Sequence, residues 1–383
     1  MQQIIDFIKE LYKNKNPVQL HEPVFLGNEK KYVNDCIDTT FVSSVGKYVD
    51  RFEEMIANYT GSARAVACVN GTNALYLALK LTGVEQSDEV ITQSLTFIAT
   101  VNAIVHCNAK PVFVDVDRDT MGLSPKKMNE WLENNAKLEN NQCVDCNTGN
   151  RIKACVPMHT FGHPVHIEEL IDICAKWRIE LIEDAAESIG SFYKGKHTGT
   201  FGHVGVLSFN GNKTITTGGG GMLLFQEKKQ GELAKHLMTQ AKILHKWEFK
   251  HDAIGYNYRM PNINAALGCA QMENIEMFLN SKRETAMKYK RFLSNIGMRF
   301  FDEPRDCKSN FWLSCLILSD KEEQIRFLTE TNSNGVMTRP IWELMNRLPM
   351  FAQCQCGDLT NAEWFADRAV NLPSGFRNGD KVK

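Results

Sequence analysis

Lys213 is the residue whose sequence surroundings most favour chemistry. It follows Leu207-Ser208-Phe209-Asn210-Gly211-Asn212 and precedes Thr216, Thr217 and the run Gly218–Gly221. An apolar strand pattern ends there, and a turn rich in hydroxyl, amide and glycine residues lets backbone approach a ligand. Lysine becomes a nucleophile when partial desolvation or a nearby positive charge lowers its proton affinity; otherwise it is a solvated surface group. A second constellation, Ile179–Glu187, puts Asp184 and Glu187 at the C-terminal edge of a strand, where open α/β sheets seat ligands. Carboxylates there either hold a protonated ring nitrogen or cap the next helix. In Val69-Asn70-Gly71-Thr72-Asn73, a strand gives way to a helix through a glycine turn. Free N–H groups at the positive end of the helix dipole make that junction a phosphate seat or a plain N-cap. A fourth segment, Gly255–Pro261, groups Tyr256, Asn257, Tyr258 and Arg259, with Arg259 open to a structural ion-pair role.

These residues need a scaffold, and the pattern between 65 and 225 supplies one. Short apolar runs at 65–69, 89–93, 111–115, 152–158, 179–183, 205–209 and 221–225 alternate with helical stretches such as Ile167–Trp177. Strands apolar on both faces belong to a parallel sheet covered by helices, so the fold class is α/β. The four glycines lead into a strand rather than a helix, which removes a dinucleotide-binding reading. Residues 133–150 are polar and Asn-rich and read as a surface insertion. After Pro261 a long helix is expected over 263–294, then strands near 298–301, 311–318 and 336–341. That divides the chain into residues 1–260, an N-terminal segment plus a large α/β domain, and residues 261–383, a small C-terminal α+β domain. The opening MQQIIDFIKELYKNK reads as an amphipathic helix rather than a signal peptide.

Bulk composition excludes several classes. The 383 residues carry 44 basic and 45 acidic side chains, a net charge of −1, without the basic footprint of a nucleic-acid binder. No stretch approaches the ~20 apolar residues of a membrane span, so a cytoplasmic location is expected. Of twelve cysteines, several lie in apolar runs as small hydrophobes. Cys143 and Cys146 form one CxxC pair, but Cys354-Gln-Cys356 has the wrong spacing to complete a zinc knuckle, and no metal is expected.

Taken in order, FVSSVGKYVDRFEE, NGTNAL, SLTFIATVNAI, PVFVDVD, MHTFGHPV, IEDAAES, SFNGNKTITTGGGG and GYNYRMPNINAALG resemble the DegT/StrS family of sugar aminotransferases, over most of the chain from about Pro23 to Pro373. The resemblance implies pyridoxal phosphate (PLP) fold type I, with a seven-stranded, mainly parallel sheet. It implies that Lys213 forms the Schiff base with PLP and shuttles protons, with pyridoxamine phosphate as the intermediate form. Asp184 would bind the pyridinium nitrogen, Glu187 would sit near the ring hydroxyl, and Phe97 would stack on the ring. Gly71, Thr72, Asn73, Ser208 and Asn210 would complete the cofactor site, with Asn257 supplied by the neighbouring subunit of a homodimer. A sugar-dehydratase branch carries His in place of Lys213, so the lysine favours amino transfer over that chemistry; a catalytically silent regulatory protein on the same fold is a further alternative, which would show no turnover. Two departures from the commonest pattern are Gly219, where many members have Glu, and His163, where many have Gln. The wording is similar to the subgroup acting on nucleotide-linked 4-keto-6-deoxy-hexoses of legionaminic-type and surface-glycan pathways. This implies L-glutamate as donor and a UDP-linked, N-acetylated keto-sugar as acceptor. Ser43, Ser44, His163, Arg259, Arg339 and Trp342 are candidate substrate contacts, each with a structural alternative.

Overall fold

A computed structural model describes residues 1–377. Its centre is a seven-stranded sheet of β1 (Arg64–Cys68), β2 (Glu89–Gln93), β3 (Lys110–Val114), β4 (Ile152–Val156), β5 (Glu180–Asp184), β6 (Val204–Ser208) and β7 (Gly221–Phe225). In space the order is β1-β7-β6-β5-β4-β2-β3, and only β7 runs against the others. The seven expected strands form within two residues of their expected ends. Their continuous apolar runs are buried on both faces, as in β2 and β7, where every residue is covered. Helices α4 (Gly71–Leu81) and α5 (Ile98–His106) bury Leu77, Ala78 and Ile104 against Val66, Val206 and Leu223 on one face. On the other, α3 (Lys47–Thr60) and α9 (Asn262–Met272) bury Phe52, Ile56 and Cys269 with Leu207 and Leu224. Because β7 alone is reversed, Asn70, Asp184, Ser208 and Gly220 meet at one sheet edge.

The C-terminal part carries a four-stranded antiparallel sheet, in the order Arg299–Phe301, Ser314–Ile317, Ala369–Leu372 and Arg339–Pro340. The run expected as a strand over 311–318 starts only at Ser314, because Phe311 adopts φ 47° and turns the chain. The run at 336–341 keeps only Arg339–Pro340 as strand. The helix expected over 263–294 is two helices: α9 stops at Met272, and α10 (Ile275–Asn295) starts after Asn274, whose ψ of 11° at φ −115° is not helical. At this break Glu273 accepts from Tyr32 Oη at 2.6 Å, Arg51 at 2.7 Å and Asn28 at 2.8 Å, tying the junction to the N-terminal helices. Helix α1 (Gln2–Leu11) packs Ile4, Ile5 and Ile8 against Tyr289, Leu293 and Phe327, so the chain's first helix joins its last third. The segment 133–150, expected as a surface insertion, holds a hairpin. Ala136–Glu139 and Gln142–Asp145 form it, and its Cys143 and Asp145 are buried.

Candidate active site

At the edge where β1, β5 and β6 end, a cleft of about 400 Å³ opens, lined by Gly71, Thr72, Phe97, Asp184, Glu187, Ser208, Asn210 and Lys213. Eight residues expected at the cofactor site from four distant segments therefore share one cavity. The Lys213 ammonium lies 3.0 Å from Glu187 Oε1 and 4.2 Å from the centre of the Trp312 ring. Both members of the pair are hidden, with side-chain exposures of 11% and 1%. Burial pushes the Glu187 carboxyl up to about 7, with Lys213 pulling in the opposite direction. The second oxygen, Oε2, accepts the Phe161 N–H at 3.0 Å. Phe161 sits at φ 55°, a costly conformation for a bulky residue that persists because its surroundings fix it.

Asp184 closes the floor. Thr100 Oγ1 donates to its Oδ2 at 2.6 Å, and the Ala186 N–H to its Oδ1 at 3.1 Å. Burial pushes this carboxyl above the usual carboxylate range, while these two donors stabilise its ionised form. The preceding Glu183 is also buried. It accepts from the N–H groups of Gly199 (2.7 Å), Phe201 (2.7 Å) and Gly202 (2.8 Å), and pairs with His159 at 3.0 Å. His159 Nδ1 accepts the Val165 N–H, so its proton sits on Nε2 and points at Glu183. The end of β5 is thereby held rigidly from behind.

The side wall is the N-terminus of α4. Asn70 Oδ1 takes the Asn73 N–H at 2.8 Å and Asn70 O takes the Ala74 N–H at 3.2 Å, which leaves the N–H groups of Gly71 and Thr72 for a ligand. A Cβ at Gly71 would stand 3.1 Å from Ser208 Cβ, and one at Gly221 2.6 Å from the Asn70 carbonyl carbon. Glycine at both positions is what lets helix and strand ends close into a cradle of N–H and hydroxyl donors. That cradle suits a phosphate.

Other expected site residues lie elsewhere. Asn73 does not line the cleft; its N–H is used by the cap, and Asn70 takes its place there. His163 is fully buried between the Phe301 and Phe311 rings, at 5.1 and 5.5 Å, and neither ring nitrogen has a hydrogen-bond partner among the described residues. The left-handed pair Phe161–Gly162 turns the chain so that residue 163 enters the core rather than the cleft. Arg339 lies on the outer strand and donates to Asn332 Oδ1 and the Thr338 carbonyl. Ser43 and Ser44 sit in the loop before α3, where Ser43 O accepts from the Asn262 N–H. Asn257 and Arg259 pair with each other near the surface, outside this chain's own cleft. Trp342 does line the cleft, 6.0 Å from Phe97. Sequence reading missed Trp312, Asn212 and Thr100. Thr96 and Thr100, hydroxyls four apart in an otherwise apolar helical start, were the available signal for the last.

Comparison with known proteins gives a consistent result. The DegT/DnrJ/EryC1/StrS aminotransferase family profile matches residues 26–380. The chain is similar to the GDP-perosamine synthase of Escherichia coli O157:H7, with 36% identity over 93% of each chain. It is also similar to that of Vibrio cholerae, with 36% identity over 93% of this chain and 94% of the other. Among solved structures, the aminotransferase TlmJ from Streptoalloteichus hindustanus superposes with a TM-score of 0.84 at 26% identity, covering 93% of both chains.

Proposed function

Since this chain belongs to the DegT/DnrJ/EryC1/StrS aminotransferase family, whose members are PLP-dependent sugar aminotransferases, we propose that it moves an amino group from L-glutamate to the C4 ketone of a nucleotide-linked 4-keto-6-deoxy-hexose. One observation carries the reading: a buried lysine amine, an acidic floor and an open helix N-terminus face each other across a single cleft. Each matches one part of PLP, namely carbonyl, ring nitrogen and phosphate. When bound, PLP supplies an electron-withdrawing ring that makes the bond beside the substrate nitrogen acidic. Lys213 would anchor it through its amine and would carry a proton to and from the substrate carbon as general base and acid. Asp184, oriented by Thr100, keeps the ring nitrogen protonated. Glu187 holds the Lys213 ammonium in place at 3.0 Å. Gly71, Thr72 and Ser208 supply donors to the phosphate, and Phe97 and Trp342 form the apolar wall that excludes water from the ring.

The likeness to GDP-perosamine synthases over 93% of the chain supports GDP as the carrier, in place of the UDP expected from the sequence wording. A homodimer fits the surface. Leu244, Trp247, Phe249 and Ile254 project from the segment just before Asn257, with Trp247 74% and Ile254 89% exposed. An apolar patch of that kind marks an interaction site. A second copy seated there would carry Asn257 and Arg259 toward the neighbouring cleft. Among the described residues no helix is long and apolar enough to cross a membrane, and all twelve cysteines are free, which supports a reducing cytoplasmic setting.

The test is an absorbance spectrum of the PLP-loaded protein before and after L-glutamate, followed by GDP- and UDP-linked 4-keto-6-deoxy-hexoses. The expected result is a visible band that glutamate bleaches, that the GDP-sugar restores, and that Lys213→Ala lacks. A band unchanged by glutamate would point to a dehydratase or a silent regulatory protein, and restoration by the UDP-sugar alone would overturn the carrier.

A further inference from the structure

Lys282 lies on α10, outside the cleft, buried with a cation's full desolvation cost and, among the described residues, no carboxylate to offset it. Burial pushes its ammonium down to about 7. Its three donors are matched by three acceptors from three remote parts of the chain: His21 Nε2 at 2.8 Å, Ser374 O at 2.9 Å and Trp312 O at 3.1 Å. A void of about 20 Å³ lies between this cluster and the nucleophile, touched by His21, Lys213 and Lys282.

The acceptor that matters is Trp312. Its indole face lies 4.2 Å from the Lys213 ammonium, and its Nε1 donates at 2.7 Å to the carbonyl of Asn212, the residue before the nucleophile. Its N–H donates to Asn310 Oδ1 at 2.8 Å, while Asn310 Nδ2 donates to the carbonyls of Glu187 and Ile189. Phe311, between them, sits at φ 47°, a conformation that needs fixed points on both sides. Asn310 is one fixed point, and Lys282 on the Trp312 carbonyl is the other.

We propose that Lys282 is a positioning residue for amino transfer. By gripping the Trp312 carbonyl it fixes the indole against Lys213 and Asn212, and so sets the direction in which the Lys213 amine points into the cleft. This rests on Lys213 being the PLP-binding amine, which Lys213→Ala tests separately through loss of the visible band.

The experiment uses the PLP-loaded protein and three variants, Lys282→Met, Trp312→Phe and the double. The readouts are visible circular dichroism of the bound cofactor, which reports its fixed orientation, and the single-turnover rate with L-glutamate. Each single variant is expected to reduce both signals, the rate by about 10-fold, and the double to be no slower than the slower single, because the two residues act through one contact. A wild-type dichroism signal and rate in Lys282→Met would overturn the proposal. So would losses that multiply in the double variant, which is what independent damage to the fold gives. If Lys282→Met does not fold, Lys282→Gln replaces it. Its nitrogen stops one bond short of the Trp312 carbonyl, so it is expected to show the same loss, and wild-type behaviour there refutes the assignment equally.

Discussion

Replacing Thr100 by valine removes the hydroxyl that links Asp184 to Thr96 at the proposed cofactor seat. The side chain is 1% exposed and sits in the first turn of α5, where valine keeps the branched shape and loses only the hydroxyl. That hydroxyl donates to Asp184 Oδ2 at 2.6 Å, while the Ala186 N–H continues to hold Oδ1 at 3.1 Å. A hydrogen bond to an ionised group contributes about 1.5–3 kcal/mol. Without that donor Asp184, already pushed up by burial, rises further. The same energy is withdrawn from the proposed pairing of Asp184 with the protonated ring nitrogen, so the PLP dissociation constant is expected to rise about 10- to 150-fold. Because a raised carboxyl loses its charge as pH falls, the defect deepens with falling pH, which a comparison at about pH 8 and about pH 6 follows. Titration of cofactor-free wild type and Thr100→Val with PLP, followed by absorbance at both pH values, measures this. An affinity within about twofold of wild type at both would refute the role given to Asp184 as well as to Thr100.

Two further outcomes test the structure away from that contact. Burial holds the His163 imidazole down at about 4 against 6.5 in the unfolded chain, so the folded state has its full stability above 6.5 and loses it as pH falls toward 4. By about pH 5 that loss is about 2 kcal/mol. His163→Leu lacks this loss, and urea unfolding should show its advantage over wild type growing between about pH 7.5 and about pH 5; an advantage independent of pH would contradict the burial. Trp247→Ser combined with Phe249→Ser should shift the protein toward monomer in sedimentation and weaken PLP retention, whereas a monomer that keeps wild-type PLP affinity would show that the cleft needs no second copy.

The parts legible in the sequence are those set by contiguous residues. A parallel strand buried on both faces must be apolar throughout, so Glu89–Gln93 and Gly221–Phe225 announce themselves. Lys213, Asp184 and the Gly71 turn lie where such strands end, and strand ends are where this fold class seats ligands. His163, within the motif MHTFGHPV, enters the core instead of the cleft. The two left-handed residues before it reverse its direction, and backbone angles of a Phe-Gly pair are not written in residue types. The hairpin at 136–145 was hidden by polar side chains whose outer strand is solvated. Trp312 was illegible for a different reason, since its indole reaches Asn212 across 100 positions of chain.

That last contact bears on how the two parts of the molecule cooperate. The large sheet alone supplies Lys213, Asp184, Glu187 and the cradle proposed for the phosphate, yet the surface against which the lysine rests comes from residues 310–312. Asn310 is anchored to the backbone of Glu187 and Ile189, so the C-terminal part is fastened to the segment that carries the acidic pair. The N-terminal segment is drawn in as well, through His21 on Lys282 and Val18 beside Val336. A displacement of the C-terminal part would therefore move Trp312 away from Lys213 while leaving Asp184 and Thr100 in register. On that geometry, perturbing the C-terminal part should slow proton transfer at Lys213 while sparing PLP affinity, and perturbing Thr100 should do the reverse. A Lys282 variant that lost PLP affinity as severely as Thr100→Val would break this division.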